Sequence, residues 1–350
     1  MDAKSTDISR ATLREIARRV DMDISTVSRA LSGSPRVARK TKEEILSVAK
    51  QMDYFPNSMA RGLVSRKSET IGLILPQIFS LQGPFFSQIL GSIEQTAVQN
   101  GYNLLIASEK TGDRQFPFNL LRARRIDGLL IHNDLQQIPH LAELKREKSP
   151  FVLVNRQDPD AQTHWVSTDD VHGAELATKH LMDLGHRRIG VVAGSLQTAS
   201  STGRLEGYWA ALKEQGLAYE EGLVQEGLFE RGIETGWRGA EKLFAMKKPP
   251  TAIFAFSDEL AVGVMQAARE RGLQIPKDVA LVGYDNIEYS AHLHPALTTV
   301  SQDPRAIGAT SCQMLIDLLR GKSVEERQVR IPVKLIVRDS CGSKRKGEHS

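Results

Sequence analysis

The sequence predicts an α/β protein in which a small all-α module precedes a larger core of two parallel-sheet lobes. Three short segments with helical spacing follow one another between residues 12 and 52. Beyond residue 70, short apolar runs alternate with amphipathic stretches of helical length. Strands that alternate with helices are typical of βαβ units and parallel sheet. About 270 residues of this pattern exceed one compact sheet, so two lobes are expected.

The composition is that of an ordinary globular protein. Among the 350 residues, 41% are hydrophobic and 25% are charged. The sequence contains no run of ~18 apolar residues that could span a membrane. The first ten residues are polar and lack the apolar core of a signal peptide, which predicts a cytoplasmic protein. Cys312 and Cys341 form no CxxC pair and no disulfide framework. We therefore expect no metal, no cofactor and no catalytic residues.

The first helical segments predict a helix-turn-helix. Asp21 and Asp23 lie between the first two segments, and Gly33–Pro35 breaks the chain before the third. The apolar stripes of the three segments are, in order, Leu13, Ile16, Ala17 and Val20; then Val27, Ala30 and Leu31; then Ile45, Val48, Ala49 and Met52.

The charge of the chain is concentrated at this end. Residues 1–70 contain 14 Lys and Arg against 9 Asp and Glu, whereas the remaining residues contain 32 against 33. A basic excess in one small module indicates binding to a polyanion, although a solvated helical face would look similar. After Pro56 and Asn57, the segment Ser58–Val64 is too short to be a stable helix by itself.

The core pattern predicts the elements and the domain bounds. The predicted strands are Ile71–Leu75, Leu104–Ala107, Gly128–Ile131, Phe151–Val154, Ile189–Ala193, Ala252–Phe256 and Val279–Val282, with Ile331–Val337 closing the fold. The predicted helices include Phe85–Asn100, Val171–Leu184, Ser201–Gln215, Ile233–Met246, Glu259–Arg271 and Pro304–Leu319. The expected domains are a headpiece (1–55), a hinge and linker (56–68), a core (69–341) and a tail (342–350). Within the core, lobe one comprises about 69–168 with 302–332, and lobe two about 169–301 with 333–341.

The N-terminal motifs carry a specific resemblance. The residues Thr12–Arg18, Ile24–Leu31 and Tyr54–Leu63, together with Lys40 and Thr41, closely resemble the lactose/galactose repressor family of bacterial transcription regulators. Further matching pieces follow in order along the core, for example Leu184–Gly190, Ser257–Ala261, Val282–Asn286 and Leu297–Val300. The resemblance implies a headpiece that binds DNA and a core of the periplasmic-binding-protein type.

The second helix provides the predicted DNA-reading face. Ile24, Ser25, Ser28 and Arg29 are expected to point outward near its start. Arg29 can bind guanine O6 and N7, and Ile24 can contact a thymine methyl group. Thr26, Ser32 and Thr41 are expected to contact phosphates. The family often has Gly and Ser or Thr where this chain has Asp21 and Asp23, and a carboxylate near a phosphate is unfavourable.

The segment Pro56–Val64 resembles the hinge helix of the family. The resemblance implies that this helix folds on operator DNA and that Leu63 inserts into the minor groove, beside Asn57 and Ala60. A plain linker in which Leu63 packs on the core is the alternative.

The resemblance also implies an effector site between the lobes. Arg204 and Asp285 would clamp the effector. The remaining implied contacts are Asn155, Arg156, Ser257 and Gln302, with Phe86 and Phe229 as apolar walls. Alternatively, Arg204 could form a surface salt bridge, Asp285 a turn cap and Phe86 part of the core. Trp165, Trp209 and Trp237 are expected in the core.

These features predict a sequence-specific transcription regulator, not an enzyme. The expected function is repression of a carbohydrate-utilisation operon, with a homodimer or larger oligomer on a near-palindromic, double-stranded operator. A small effector, expected to be a sugar, would change the relative stability of two states of the protein and so its operator affinity. The alternative is a solute-binding receptor for transport, which would explain residues 71–341 but has no use for residues 12–64.

Overall fold

The computed structural model describes residues 12–31, 34, 36–54, 67–75, 83–108, 116–132, 141–228 and 231–343. The chain divides into two compact units, of which the first ends at Glu69 and the second begins at Thr70. None of the helices in the described ranges is long and apolar enough to cross a membrane.

The described part of the first unit has three helices around one small core. These are α1 (Leu13–Arg19), α2 (Ile24–Leu31) and α3 (Arg39–Gln51). Their buried side chains are Ile16, Ala17, Val20, Val27, Ala30, Ile45 and Ala49. A capping box starts α1: the Glu15 carboxylate accepts a hydrogen bond from the Thr12 amide at 2.7 Å, and the Thr12 hydroxyl accepts one from the Glu15 amide at 3.4 Å. The predicted all-α headpiece is confirmed.

The second unit alternates strands and helices. The described strands are β1 (Thr70–Leu75), β2 (Asn103–Ser108), β3 (Gly128–Ile131), β4 (Phe151–Val154), β5 (Trp165–Thr168), β6 (Ile189–Ala193), β7 (Val224–Glu226), β8 (Ala252–Ala255), β9 (Ala280–Asp285), β10 (Thr298–Ser301), β11 (Gln328–Ile331) and β12 (Lys334–Ile336). The described helices are α4 (Pro84–Gln99), α5 (Phe116–Arg122), α6 (Leu141–Glu147), α7 (Asp170–Asp183), α8 (Ala199–Glu214), α9 (Gly232–Phe244), α10 (Asp258–Glu270) and α11 (Pro304–Leu319). Short 3-10 helices span Glu221–Leu223 and Glu288–His292.

The described strands form two six-stranded sheets, one in each lobe. The sheet of lobe one has the order β11-β5-β4-β3-β1-β2, and all its neighbouring strands are parallel. The sheet of lobe two has the order β12-β10-β9-β8-β6-β7, in which β12 is antiparallel to its neighbour and the other described pairs are parallel. The central strands are fully buried because helices cover both faces, as in other parallel sheets. The predicted α/β class is confirmed.

Within the described ranges, the chain crosses between the two sheets three times. It passes from β5 to α7 between Thr168 and Asp170, and from β10 to α11 between Ser301 and Pro304. It crosses again from β11 to β12 between residues 331 and 334, so the apolar run Ile331–Val337 is not one strand but the junction of two. Side chains at these crossings lie at the lobe boundary, next to the carboxyl ends of β5, β10 and β11. Ligands bind at such strand ends in open α/β sheets.

Candidate DNA-reading helix and effector site

The outward face of α2 is formed by the residues predicted to read bases. Val27 and Ala30 face the core, whereas Ile24 is 45% exposed. Ser25 and Arg29 are exposed, one helical turn apart on the same face, and Ser28 is half-buried between them. Exposure of an isoleucine side chain to water is unfavourable, and contact with an apolar group such as a thymine methyl group would remove this cost. The face therefore combines an apolar contact with hydroxyl and guanidinium donors.

The turn between α1 and α2 depends on Asp21. This residue has φ 51°, in the left-handed region that glycine favours and that aspartate tolerates. The Met22 amide donates to the Ala17 carbonyl at 3.0 Å, and the Asp23 carbonyl accepts from the Thr26 and Val27 amides at the start of α2. The chain thus makes the tight turn with an aspartate in the left-handed conformation.

The other predicted DNA contacts divide into two groups. Thr26 and Thr41 are half-buried, near the starts of α2 and α3 respectively. Four predicted DNA contacts lie outside the described residues, as does one predicted effector contact; they are Ser32, Asn57, Ala60 and Leu63, and Phe229.

Arg204 is the centre of a buried polar cluster in the core. Its side chain, on α8, is only 5% exposed. The guanidinium Nε donates to Asp170 Oδ1 at 2.8 Å, and an Nη donates to the Phe256 carbonyl. The guanidinium also lies 3.8 Å from the centroid of the Tyr284 ring, a cation–π arrangement. Arg204 is therefore not the surface salt bridge that the sequence left open.

Asp285 and Gln302 extend this cluster across the lobe boundary. An Nη of Arg204 lies 4.0 Å from Asp285 Oδ1, which accepts a hydrogen bond from Gln302 Nε2 at 2.7 Å. Gln302 Oε1 in turn accepts from the Thr168 hydroxyl at 2.8 Å. Because Thr168 and Gln302 lie at two of the three crossings, these contacts join both crossings to lobe two. We call Asp170, Arg204, Asp285 and Gln302 the Arg204 cluster.

Burial destabilises the ionised forms of the two carboxyl groups in this cluster. Desolvation raises the pKa of Asp285 to about 7, against the opposing effects of Arg204 and Gln302. Desolvation also raises the pKa of Asp170, again opposed by the nearby guanidinium. Asp170 was not among the predicted site residues. The only indication in the sequence that Asp170 belongs to a site is its position in an acidic pair directly after a buried strand.

A cavity of about 590 Å³ adjoins the cluster at the lobe boundary. Asp170 lines it, as do the predicted Asn155 and Arg156. Asn155 has φ 54°, and its side-chain Oδ1 is buried and accepts no hydrogen bond within the described structure. The other lining residues are Gln157, Ser167, Asp169, Val171, Ala199, Ser200, Thr202, Gly203, Glu206 and Arg330. We call this space the lobe-boundary cavity.

The two remaining predicted contacts have structural roles of their own. The hydroxyl of Ser257 caps α10 by accepting from the Leu260 amide at 3.2 Å. Phe86 is buried in the core of lobe one, with its ring edge-on to His132 at 4.9 Å. Burial lowers the pKa of His132 to about 4, so this imidazole is neutral. The expectation that all three tryptophans lie in the core was wrong for Trp209, which is 44% exposed and packs against Tyr219.

Comparison with known proteins assigns both units. The profile described as "Bacterial regulatory proteins, lacI family" matches residues 12–57, and the "Periplasmic binding protein-like domain" matches residues 178–341. The HTH-type transcriptional repressor PurR of Aliivibrio salmonicida is 31% identical over 334 residues, which cover 94% of this chain and 98% of that protein.

Solved structures agree over the same length. The lac repressor dimer bound to operator and the anti-inducer ONPF has a TM-score of 0.85 and 29% identity, covering 95% of this chain and 99% of that one. The complex of the regulator CelR with cellobiose has a TM-score of 0.71 and 28% identity, covering 95% and 100%. A transport receptor would not have the matched headpiece. The chain belongs to the LacI family of DNA-binding transcription regulators.

Proposed function

We propose that this protein is a dimeric repressor whose affinity for a near-palindromic operator is controlled by a small hydroxylated effector bound at the lobe boundary. The observation that carries the proposal is the Arg204 cluster, which places charged and amide groups at two chain crossings and beside a cavity. A ligand that changes these contacts acts directly on the segments that connect the lobes. It would act in the cytoplasm, where operator DNA is found.

Operator reading is assigned to the exposed face of α2. Arg29 would bind a guanine edge through two hydrogen bonds and Ile24 a thymine methyl group. Thr26, Ser32 and Thr41 would hold phosphates and so fix the register of the helix. Asn57, Ala60 and Leu63 would act in the hinge, with Leu63 as the apolar wedge in the minor groove.

Dimerisation is supported by apolar side chains that the described chain leaves exposed. Val98 on α4 and Ile106 on the edge strand β2 are exposed in lobe one. Ile233 on α9 and Tyr289 are exposed in lobe two. Each lobe therefore has apolar surface that a second copy could bury, and a two-fold dimer would present two headpieces to two half-sites.

Effector control is assigned to the cluster and the cavity. Asn155, Arg156, Arg204, Asp285 and Gln302 would hold the hydroxyl groups of the effector, with Phe86, Phe229 and Ser257 near it. The solved CelR complex contains cellobiose, which supports a sugar as the class of effector. The effector shifts the protein between two states only by its difference in affinity for them. In this proposal, rearranged contacts at the crossings provide that difference.

Selection from a random duplex library tests operator reading for every possible operator sequence at once. We expect the full-length protein to enrich a two-fold symmetric sequence, and a duplex with one half-site scrambled to bind at least ~10-fold more weakly. Enrichment of asymmetric sites, or equal affinity for the intact and half-scrambled duplexes, would contradict the dimeric repressor.

A further inference from the structure

We infer that Asp170 excludes anionic effectors from Arg204, so that the site selects an uncharged, donor-rich ligand over its acidic or phosphorylated counterpart. The inference rests on the proposed effector site and names the chemistry of its ligand. Asp170 is thereby assigned as a specificity-determining residue.

Protein acceptors already occupy the Nε and one Nη of the Arg204 guanidinium. An arginine in a ligand cleft is the usual partner of a carboxylate or a phosphate, because its guanidinium donates to two oxygens at once. Here the carboxylate comes from the protein itself: Asp170 accepts from Nε at 2.8 Å. The Phe256 carbonyl accepts from one Nη, and Asp285 lies 4.0 Å from the other. An anionic ligand group that paired with Nε and an Nη would have to displace Asp170, and one that approached the other Nη would lie beside the Asp285 carboxyl group.

Displacement would be unfavourable because Asp170 is itself buried. Its side chain is 16% exposed, and desolvation raises its pKa even with Arg204 beside it. A buried carboxylate that loses its cation is strongly destabilised. A ligand anion would therefore bring a new negative charge next to Asp170 and remove the cation that stabilises it.

The remaining charges around Asp285 also oppose an anion. Asp285 is 11% exposed, and its pKa of about 7 reflects burial and the neighbouring acids. The groups that act on it from the elements packed around it are Arg204 and Gln302, which favour its ionised form, and Asp170 and Glu259, which oppose it. Burial raises the pKa values of Asp258, Tyr284 and Tyr289, and the Asp285 carboxyl group adds to the increase in each. Among these described groups, carboxylates outnumber cations.

The cations at the cavity wall do not reverse this balance. Arg330 lies 3.7 Å from Asp169, and its side chain is largely exposed at the rim. Arg156 also lines the cavity, but so do the carboxylates of Glu206 and Asp170. Asn155 Oδ1, by contrast, is a buried acceptor with no donor within the described structure, and the carboxylates of Asp169, Asp170 and Glu206 line the same cavity. A ligand rich in hydroxyl or amino donors satisfies these oxygens, whereas a phosphate or carboxylate adds further acceptors.

The test uses matched ligand pairs on the full-length protein. Neutral sugars and nucleosides are screened by thermal shift beside their uronate or phosphorylated counterparts, and binders are measured by calorimetry. We expect the uncharged member of a binding pair to bind at least ~10-fold more tightly than the anionic member. In Asp170→Asn, this ratio should fall by about tenfold or more. The exposed Asp183→Asn, on the same helix and with the same change in charge, is the matched control and should keep the wild-type ratio.

A second measurement keeps the test independent of how well the variant folds. A hexuronate is fully ionised between pH 6 and 8, whereas Asp285 gains negative charge over this range. The preference of the wild-type protein for hexose over hexuronate should therefore increase with pH. Tighter binding of an anionic member, or a preference that is independent of both pH and Asp170, would overturn the inference but leave effector sensing intact. If no panel member bound, sensing by this site would itself be contradicted.

Discussion

Removal of the Arg204 guanidinium should destabilise the core as well as alter ligand binding. In Arg204→Met, the side chain still fills space beside Tyr284, but Asp170 and Asp285 lose their shared cation and the Phe256 carbonyl loses a donor. Breaking a buried ion pair by removing one partner costs about 3–5 kcal/mol of unfolding free energy. The loss should lie in this range at neutral pH, because both carboxyl groups are at most 16% exposed.

Urea unfolding at one fixed protein concentration measures this loss, since dimer formation would make stability depend on concentration. The double variant Arg204→Met/Asp170→Asn removes one of the two uncompensated carboxylates. It should recover a substantial part of the lost free energy, about 1–3 kcal/mol as for other coupled neighbours. A loss below about 1 kcal/mol in Arg204→Met, with no recovery in the double variant, would show that solvent screens these charges and that the cluster is not buried.

Three further predictions concern Asp285, Arg29 and Asp21. Burial raises the pKa of Asp285 to about 7, so the stability that its protonated form contributes below pH ~4 is lost as the pH rises towards 7. The variant Asp285→Asn should therefore gain stability relative to wild type between pH 5 and pH 8. Parallel pH profiles of the two proteins in urea unfolding would contradict this. Arg29→Ala should weaken operator binding by about 1–3 kcal/mol in fluorescence anisotropy, with little change on scrambled duplex; equal loss on both would assign Arg29 to phosphate. Asp21→Gly should raise the unfolding free energy of the headpiece by up to about 1 kcal/mol, because glycine adopts the φ of 51° at this position without strain. Asp23→Gly should give no such increase in thermal unfolding.

Periodicity predicted the core elements well where a segment is strongly apolar or amphipathic. The run Ile71–Leu75 lies within β1 (Thr70–Leu75), and the stretch Phe85–Asn100 differs from α4 by one residue at each end. Strand β5 was not among the predicted runs, because Ser167 and Thr168 make it look polar. Helix α11 packs against it, and its backbone pairs with β4 and with β11, which lies about 160 residues further along the chain.

The site was less predictable because its contacts join distant parts of the chain. Resemblance suggested Arg204, Asp285 and Gln302, which the structure brings together within hydrogen-bond or near-contact distance. It did not suggest Asp170, since the pairing of that residue with Arg204 depends on how α7 packs against α8. Nor could pattern alone show that Trp209 is exposed, because its exposure depends on tertiary packing. The cap made by Ser257 is instead a local contact with the Leu260 amide.

Effector binding in the core is proposed to change operator affinity, and this coupling can be measured directly. The measurement is an operator titration by fluorescence anisotropy on the full-length protein, with and without a saturating ligand of the core. We predict at least a ~5-fold change in the operator Kd, and an equal change in the ligand Kd when operator is present, because coupling between two sites is reciprocal. A ligand that binds at the Arg204 cluster but leaves the operator Kd unchanged would contradict this coupling.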